Sequence, residues 1–370
     1  MSATGRPAVW APAVWALATV TALTGCVDLA DERAANEARI GQRRGAGLTV
    51  AVQDGLAAVR VLEPGRLELW PQAPGLTVDL DAEAAGEWVI EVRNALPDAL
   101  LSGVAATPEP RDLPTHKAWR VTLPAGPSRV DLAAPRAAAV EPFRIIAFAD
   151  TQEALPEAGD FFAKMAAQRD IEFGLVSGDL TDMGYPDEVR LFQRRMEVLP
   201  FPLYATLGNH ELGESSTAPA FHRYFGRASF SFPWRGARFT LVDSGTATLA
   251  PRTWRSLHTW LAQGRDGFHL FMTHMPPLDV AGLRNNAFAS RAEAHKLLGT
   301  LARAGVDLTI HGHVHSFHAY AQVGMPAFIT GGGGGIGEAF DGIDRHFLVI
   351  EIDPVAQTAL PAVVRVGAAE

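Results

Sequence analysis

The sequence predicts an α/β layered domain preceded by a small all-β sandwich, and three observations predict it. Between Leu48 and Pro142 apolar residues alternate with polar ones and Gly or Pro marks the breaks, as in short strands half-buried in paired sheets. From Phe143 onward nearly continuous apolar runs are followed by helix-compatible stretches, the strand, loop, helix order of a layered α/β domain. Oxygen and nitrogen side chains able to hold metal follow those runs repeatedly, and open α/β sheets keep their sites at the carboxyl ends of strands.

The chain has 370 residues, 48% apolar and 20% charged, enough for two domains with sizeable cores. A formal net charge of -9 and the lack of a Lys/Arg cluster, with only Arg43 and Arg44 adjoining in the polar segment near the N-terminus, argue against a nucleic-acid-binding face.

Residues 9–23 (VWAPAVWALATVTAL) form an apolar run broken by Pro12, short for a bilayer span. It reads as the apolar core of a signal peptide over residues 1–25. Leu23, Thr24, Gly25 and Cys26 then resemble the lipobox of bacterial lipoproteins, and Cys26 is the only cysteine. Lipid on Cys26 would consume the unpaired thiol and anchor the chain to a membrane; a free cysteine beside an ordinary signal peptide or a membrane anchor is the competing reading. Val27 after that cysteine resembles the outer-membrane sorting pattern. The expected location is therefore an exported cell-envelope lipoprotein, in a Gram-negative host on the outer membrane facing the periplasm or the surface. Residues 26–47 are charged and rich in Ala and Gly, which predicts a tether, with a short helix over 32–39 as the alternative.

Period-two runs such as Leu48, Val50 and Val52, or Leu76, Val78 and Leu80, predict six or seven short antiparallel strands over 48–142. No ligand constellation falls there, so the sandwich is expected as a scaffold or spacer, or as the surface for a protein partner. Over 143–352 strands are expected at 143–149, 171–177, 203–207, 238–244, 269–273, 306–310, 327–330 and 347–352. Helices are expected at 157–168, 186–197, 253–263 and 290–304, leaving 353–370 as a tail.

Asp150 ends the first of these strands, where a lone buried carboxylate is costly and a cation would offset the cost. Gly178 and Asp179 repeat the arrangement after the second. Gly208, Asn209, His210 and Glu211 put an amide oxygen, an imidazole and a carboxylate into one turn. A histidine free of metal beside a carboxylate suits general acid work, the carboxylate orienting the ring, so His210 and Glu211 are the candidate catalytic pair. His274 precedes the stiff Met275, Pro276, Pro277 loop. In Gly312, His313, Val314, His315 the two imidazoles lie two residues apart and face the same way in extended chain. His311 shares that parity but is read as structural, and His318 has the opposite parity. Gly331 to Gly335 lacks the Lys and Ser/Thr of a phosphate loop; it suits either backbone that approaches the site closely or a flexible turn.

The ordered set Asp150 with Gln152, Gly178-Asp179, Gly208-Asn209-His210, His274 and Gly312-His313-Val314-His315 resembles the calcineurin-like metallophosphoesterase family over residues 143–352. The resemblance implies a four-layer α/β/β/α sandwich and two divalent metal ions, of Mn, Mg, Fe or Zn. It places Asp150 and His315 on the first metal, Asp179 between the two, Asn209, His274 and His313 on the second, and His210 as the acid. It further implies a phosphomonoesterase or phosphodiesterase in which a metal-bridged hydroxide attacks phosphorus in line. The alternative is an envelope lipoprotein that binds metal or phosphorylated ligands with little or no catalysis. Gln152 stands where the family's first motif usually carries His; an amide oxygen is a poorer ligand for Zn or Fe, so the first site should lean towards Mn or Mg. Asp182 stands where purple acid phosphatases carry their metal-binding tyrosine, and Tyr185 is displaced, so a purple enzyme is not implied.

Overall fold

The computed structural model describes residues 27–214, 216–282, 286–338 and 343–367. The signal peptide and Cys26 lie outside the described residues.

Residues 27–37 form helix α1, so the expected tether is corrected: this stretch is docked on the body of the protein. Its buried positions are Ala30, Arg33 and Glu37, spaced three and four apart as one helical stripe. Two of the three are charged, so composition gives no hint that the stripe is buried. Arg33 reaches Asp243 with Nε at 2.8 Å and donates to the Ser216 carbonyl at 3.0 Å. Glu37 accepts the Ala228 and Ser229 amides at 2.7 and 3.3 Å.

Ten strands rather than six or seven build the sandwich. One sheet has the order β1 (Gln42–Gly45), β2 (Leu48–Val52), β5 (Leu76–Ala82), β10 (Gly126–Ala133), β7 (Leu100–Ser102). The facing sheet has the order β3 (Ala57–Glu63), β4 (Arg66–Pro71), β6 (Gly86–Arg93), β9 (His116–Leu123), β8 (Ala106–Glu109). The strands missed are short edge strands whose side chains are mostly exposed, which leaves no alternation to read. Long strands follow the pattern closely: Leu76, Val78, Leu80 and Ala82 face inward and the residues between them outward. The pairing is antiparallel except between β4 and β6, which run parallel.

The second part has four layers. Its first sheet has the order β13 (Leu203–Thr206), β12 (Ile171–Ser177), β11 (Phe143–Phe148), β20 (His346–Asp353), β21 (Thr358–Arg365). Its second has the order β14 (Phe230–Trp234), β15 (Ala237–Val242), β16 (Phe268–Thr273), β17 (Leu308–His311), β19 (Met325–Thr330), β18 (Phe317–Gln322). Helices α2 (Gly159–Ala166), α3 (Pro186–Arg195) and α4 (Pro219–Tyr224) cover the first sheet, packing Phe161, Phe162, Phe192 and Phe221 against Ile146, Phe148 and Val176. Helices α5 (Pro251–Gln263) and α6 (Arg291–Ala304) cover the second through Trp254, Leu257, Leu297 and Leu301. Ser290 caps α6 by accepting the Glu293 amide at 3.2 Å, and Gly305 ends it at φ 74°, the cap pattern that the sequence carries at both ends. The expected tail over 353–370 is corrected too, since β21 pairs antiparallel with β20 along eight residues.

The inner faces of both α/β sheets and the interior of the sandwich join in one apolar cluster, from Leu48 through Phe173 and Phe239 to Ile352. A further link is polar. Strand β13 is an edge strand, and two buried amide side chains of the sandwich pair with its backbone as a neighbouring strand would. Asn94 donates to the Leu203 carbonyl at 2.7 Å and accepts its amide at 2.9 Å; Gln72 does the same for Ala205 at 2.8 and 3.0 Å. The sandwich therefore satisfies an edge that would otherwise stay open. It is a buttress of the sheet that leads into Asn209 and His210.

Candidate metal centre

Strands β11, β12 and β13 are parallel, as are β15, β16, β17 and β19. Their carboxyl ends therefore open on a common edge of the two sheets, and the loops carrying Asp150, Asp179, Asn209, His274 and His313 meet there. Asp179, His274 and His313 each present a ligand atom within 4.8 Å of the others. Beside them, His315 Nε2 lies 3.6 Å from Asp150 Oδ1 and Gln152 Nε2 lies 3.1 Å from His315 Nε2 and 2.8 Å from Asp179 Oδ2. Asn209 Oδ1 is 3.0 Å from His274 Nε2. All seven candidate ligands converge on one location.

The backbone is bent to achieve this. Asp150, Gln152, Asp179 and His313 have φ of 64°, 44°, 52° and 68°, a left-handed conformation that costs a non-glycine residue about 1–2 kcal/mol. Clustering of such strain at one place is a mark of a functional site. The glycine run supports the bend from outside. A Cβ on Gly333 would lie 2.4 Å from the Ala149 carbonyl oxygen, and one on Gly331 would lie 2.1 Å from that of Val314. The run is thus the close-approach backbone, its Gly335 amide donating to the Asp150 carbonyl at 2.8 Å.

Three imidazoles are held alike. His274 Nδ1 faces the Ser177 carbonyl at 2.8 Å, His315 Nδ1 the Ile336 carbonyl at 2.8 Å, and His210 Nδ1 the Asp182 carbonyl at 2.5 Å. A carbonyl can only accept, so Nδ1 carries the hydrogen and Nε2 is left for the site. These three carbonyls are functional groups that no sequence motif names, because every residue has one. Glu211 is a correction. Its carboxylate does not orient His210; it accepts the Gly208, Asp179 and Thr181 amides at 2.8, 2.8 and 2.9 Å and the Thr181 hydroxyl at 2.9 Å. It ties together the loops after β12 and β13, and burial with the adjacent Asp179 charge pushes its carboxyl up to about 7. His311 is structural, buried between Thr273 and Gln322, and burial pushes it down to about 3.

The electrostatics fit a cation. Asp150 and Asp179 are fully buried, and among the described residues neither forms an ion pair with Lys or Arg. Burial, and secondarily the Asp179 charge, push Asp150 up to about 6 against the pull of His274 and His315. Burial also opposes the charge on Asp179, but His274 and His210 outweigh it and hold its carboxyl well below the usual carboxylate range. For His274 burial disfavours the cation, yet Asp179 and Asp150 push it up to about 9. Half-buried His313 is pushed down to about 3 by its loss of solvent and by neighbouring His274, and keeps a free lone pair. Two buried carboxylates with only imidazoles to balance them suit divalent cations, which the mixed oxygen and nitrogen donors can hold. Since His274 must lose its proton to ligate, metal uptake at neutral pH is expected to release a proton. Affinity should then rise with pH and level off above about 9, where the proton is already gone. Calorimetry in two buffers of different ionisation enthalpy checks this, and a heat independent of buffer contradicts it.

Residues 143–317 match the family model described as calcineurin-like phosphoesterase. Among solved structures the chain is similar to a purple acid phosphatase, PPD1, from yellow lupin seeds, at 15% identity and a TM-score of 0.55 over 79% of this chain and 70% of that one. It also matches GAP50, the anchor in the inner membrane complex of Plasmodium (16% identity, TM-score 0.48, 61% of this chain and 85% of that one), and PhoD (9% identity, TM-score 0.48, 79% and 87%). The likeness to the lupin protein concerns the fold alone, and the other two superpose too loosely to bear on the argument. No curated protein sequence matches the chain. The family match opens on β11, the strand that delivers Asp150, and it spans every candidate ligand: residues 143–317 carry a calcineurin-like phosphoesterase domain.

Proposed function

We propose that this chain hydrolyses phosphoesters at a two-metal centre, with Asp150, Gln152 and His315 on one ion, Asn209, His274 and His313 on the other, and Asp179 between them. The convergence of Asp179, His274 and His313 within 4.8 Å, with Asp150, Gln152 and His315 adjoining, carries this reading. Two divalent ions bound there would neutralise phosphoryl oxygens and activate the attacking water. The protein's own groups do the rest. Asp179 takes the His210 amide at 2.9 Å on Oδ1 and keeps Oδ2 towards His274 and Gln152. In Gln152 the amide nitrogen faces Asp179 Oδ2, and half a turn of the amide presents its oxygen instead. His210 is the proton donor to the leaving oxygen: its side chain is 31% exposed, its Nε2 lies 3.9 Å from Asp179 Oδ2, and Asp179 with the Asp182 carbonyl raises its pKa against the effect of burial.

The mouth points to the leaving group. Met183, Tyr185 and Ile336 are 48%, 42% and 80% exposed, on the loops whose carbonyls hold His210 and His315. Asp182 and Glu214 flank them, Tyr185 donating to Glu214 at 3.4 Å. Apolar and acidic side chains around a phosphate site favour an ester with an apolar leaving group over a polyphosphate. Metal-loaded protein assayed on aryl monoesters, aryl diesters and nucleoside triphosphates tests this. Aryl esters should be cleaved and triphosphates be poor substrates, and inactivity towards both aryl classes favours the binding-only alternative. In the same assay His210→Ala should lower turnover about a hundredfold with metal content unchanged. Near-normal turnover removes His210 from the mechanism.

Export as a lipoprotein is part of the proposal and rests on the Leu23 to Cys26 motif. The chain is helical from the first described residue, 27, so a lipid on Cys26 would hold the body of the protein close to the bilayer. Labelled fatty acid should enter the full-length chain and be lost in Cys26→Ala. Labelling that survives the substitution contradicts lipidation at this cysteine.

A further inference from the structure

Away from the metal centre, the outer face of the sandwich and helix α3 enclose a cavity of about 160 Å³. Its walls include Arg60, Trp70, Arg93 and His116 from the sandwich and Arg190 and Arg194 from α3. We propose that this cavity binds a tetrahedral oxyanion, either inorganic phosphate or the phosphoryl group of a small ester.

The walls carry far more cationic donors than anionic groups. Four guanidinium groups line the cavity against a single carboxylate, that of Glu197, in a chain whose net charge is -9. Behind the wall, Arg60 and Arg93 share one carboxylate, Glu68, at 3.5 and 3.3 Å, and Arg66 claims the same group at 3.0 Å. Arg190 donates to the Tyr224 hydroxyl at 2.9 Å, and Arg194 has no ion-pair partner among the described residues. Arg190 and Arg194 also stand four apart on one helix, where like charges repel. A bound anion would turn that repulsion into attraction.

Two buried donors have nothing to donate to. Arg60 Nη1 and the indole nitrogen of Trp70, a residue 4% exposed, lack hydrogen-bond partners, a state that folded proteins rarely leave uncompensated. Arg60 is placed deliberately by the chain: the β3–β4 register slips between Val59 and Val61, and such a bulge re-aims the extra side chain. Its guanidinium then lies over Trp70 at 4.9 Å and Tyr224 at 5.5 Å with Nε turned to Glu68 at 3.5 Å, which leaves Nη1 without a partner for an oxyanion to satisfy. Opposite Arg93 in the β6–β9 ladder stands His116, which burial and the Arg93 charge push down to about 4. It enters the site neutral and adds no repulsion among the cations. The volume is ample for such an ion, given that one water needs roughly 10–15 Å³.

The test is calorimetric titration of inorganic phosphate and of glycerol phosphate onto His313→Ala protein, in which the metal centre is disabled as a competing phosphate site. Saturable binding of one anion per chain is expected. Arg93→Met with Arg194→Met should weaken it at least tenfold, and Arg194→Met alone, at an exposed helix position with little bearing on folding, should weaken it measurably. Equal binding of the two probes identifies free phosphate as the ligand, and tighter binding of the ester identifies a phosphorylated small molecule. No binding of either probe to the His313→Ala protein, or binding unchanged in both arginine variants, overturns the proposal.

Discussion

Asp179→Asn is expected to lower kcat/KM for an aryl phosphoester by roughly a thousandfold or more, about 4 kcal/mol of transition-state stabilisation, and to reduce the metal bound per chain. Asp179 reaches both halves of the site, touching Gln152 at 2.8 Å on one side and His274 at 3.2 Å on the other. The amide keeps its shape but loses the charge that draws two cations together. The secondary structure should persist, because the Asp179 backbone amide keeps its bond to Glu211 at 2.8 Å, but losing the charge that faces His274 at 3.2 Å should lower the stability of the metal-free protein. The signature is thus read on the site and not on the midpoint: metal content by elemental analysis and turnover fall together while the circular dichroism spectrum holds. A variant that kept its full metal complement and near-normal turnover would end the two-metal reading.

Arg33→Met should have the largest effect on stability, lowering the unfolding free energy by about 3–5 kcal/mol, the usual result of stripping one partner from a buried ion pair. Arg33 is fully buried and its guanidinium makes four bonds, to Asp243 Oδ2 at 2.8 Å and Oδ1 at 3.3 Å, to the Ser216 carbonyl at 3.0 Å and to Thr246 Oγ1 at 3.0 Å. Methionine fills the space but leaves the Asp243 carboxylate with little beyond the Gly245 amide at 2.9 Å. Chemical denaturation measures the loss. Arg33→Met combined with Asp243→Leu should recover much of it, since no buried charge is then left alone. The effect extends towards the site, because Asp243 leads into Ser244, whose hydroxyl accepts the Met275 amide at 2.8 Å beside His274. A midpoint unmoved by Arg33→Met would mean that α1 is dispensable to the fold.

The two predictions differ in how visible their residues are in the sequence. Asp179 could be found because it follows a strand and a glycine in a series of such arrangements. Its neighbours could be found for the same reason: a strand end is a place where period-two burial stops, and polar residues there stand out against the apolar run. Arg33 could not be found, since a helix whose buried stripe is an alanine, an arginine and a glutamate reads as solvated. Glu211 is hard to read in the sequence for a related reason. Adjacency to His210 suggests a partnership along the chain, whereas its carboxylate turns away to collect amides from the loop after β12. Gln72 and Asn94 gave no signal at all, as amide residues inside a β-rich stretch resemble surface positions until the open edge of β13 is seen against them.

The sequence by itself determined the alternation of the strands, the change of grammar at Phe143 and the order of metal-binding side chains along the chain, because each is a local pattern set by the period of the backbone. Only the tertiary structure decided that α1 and the sandwich are built into the α/β body, that main-chain carbonyls aim the imidazoles, and that an arginine-lined cavity lies against α3. Those features depend on which segments meet in space, across 210 residues of chain for α1, 109 for the sandwich and 97 for the carbonyl behind His274. Hydrogen bonds to backbone atoms carry no residue-specific trace that a linear reading could recover.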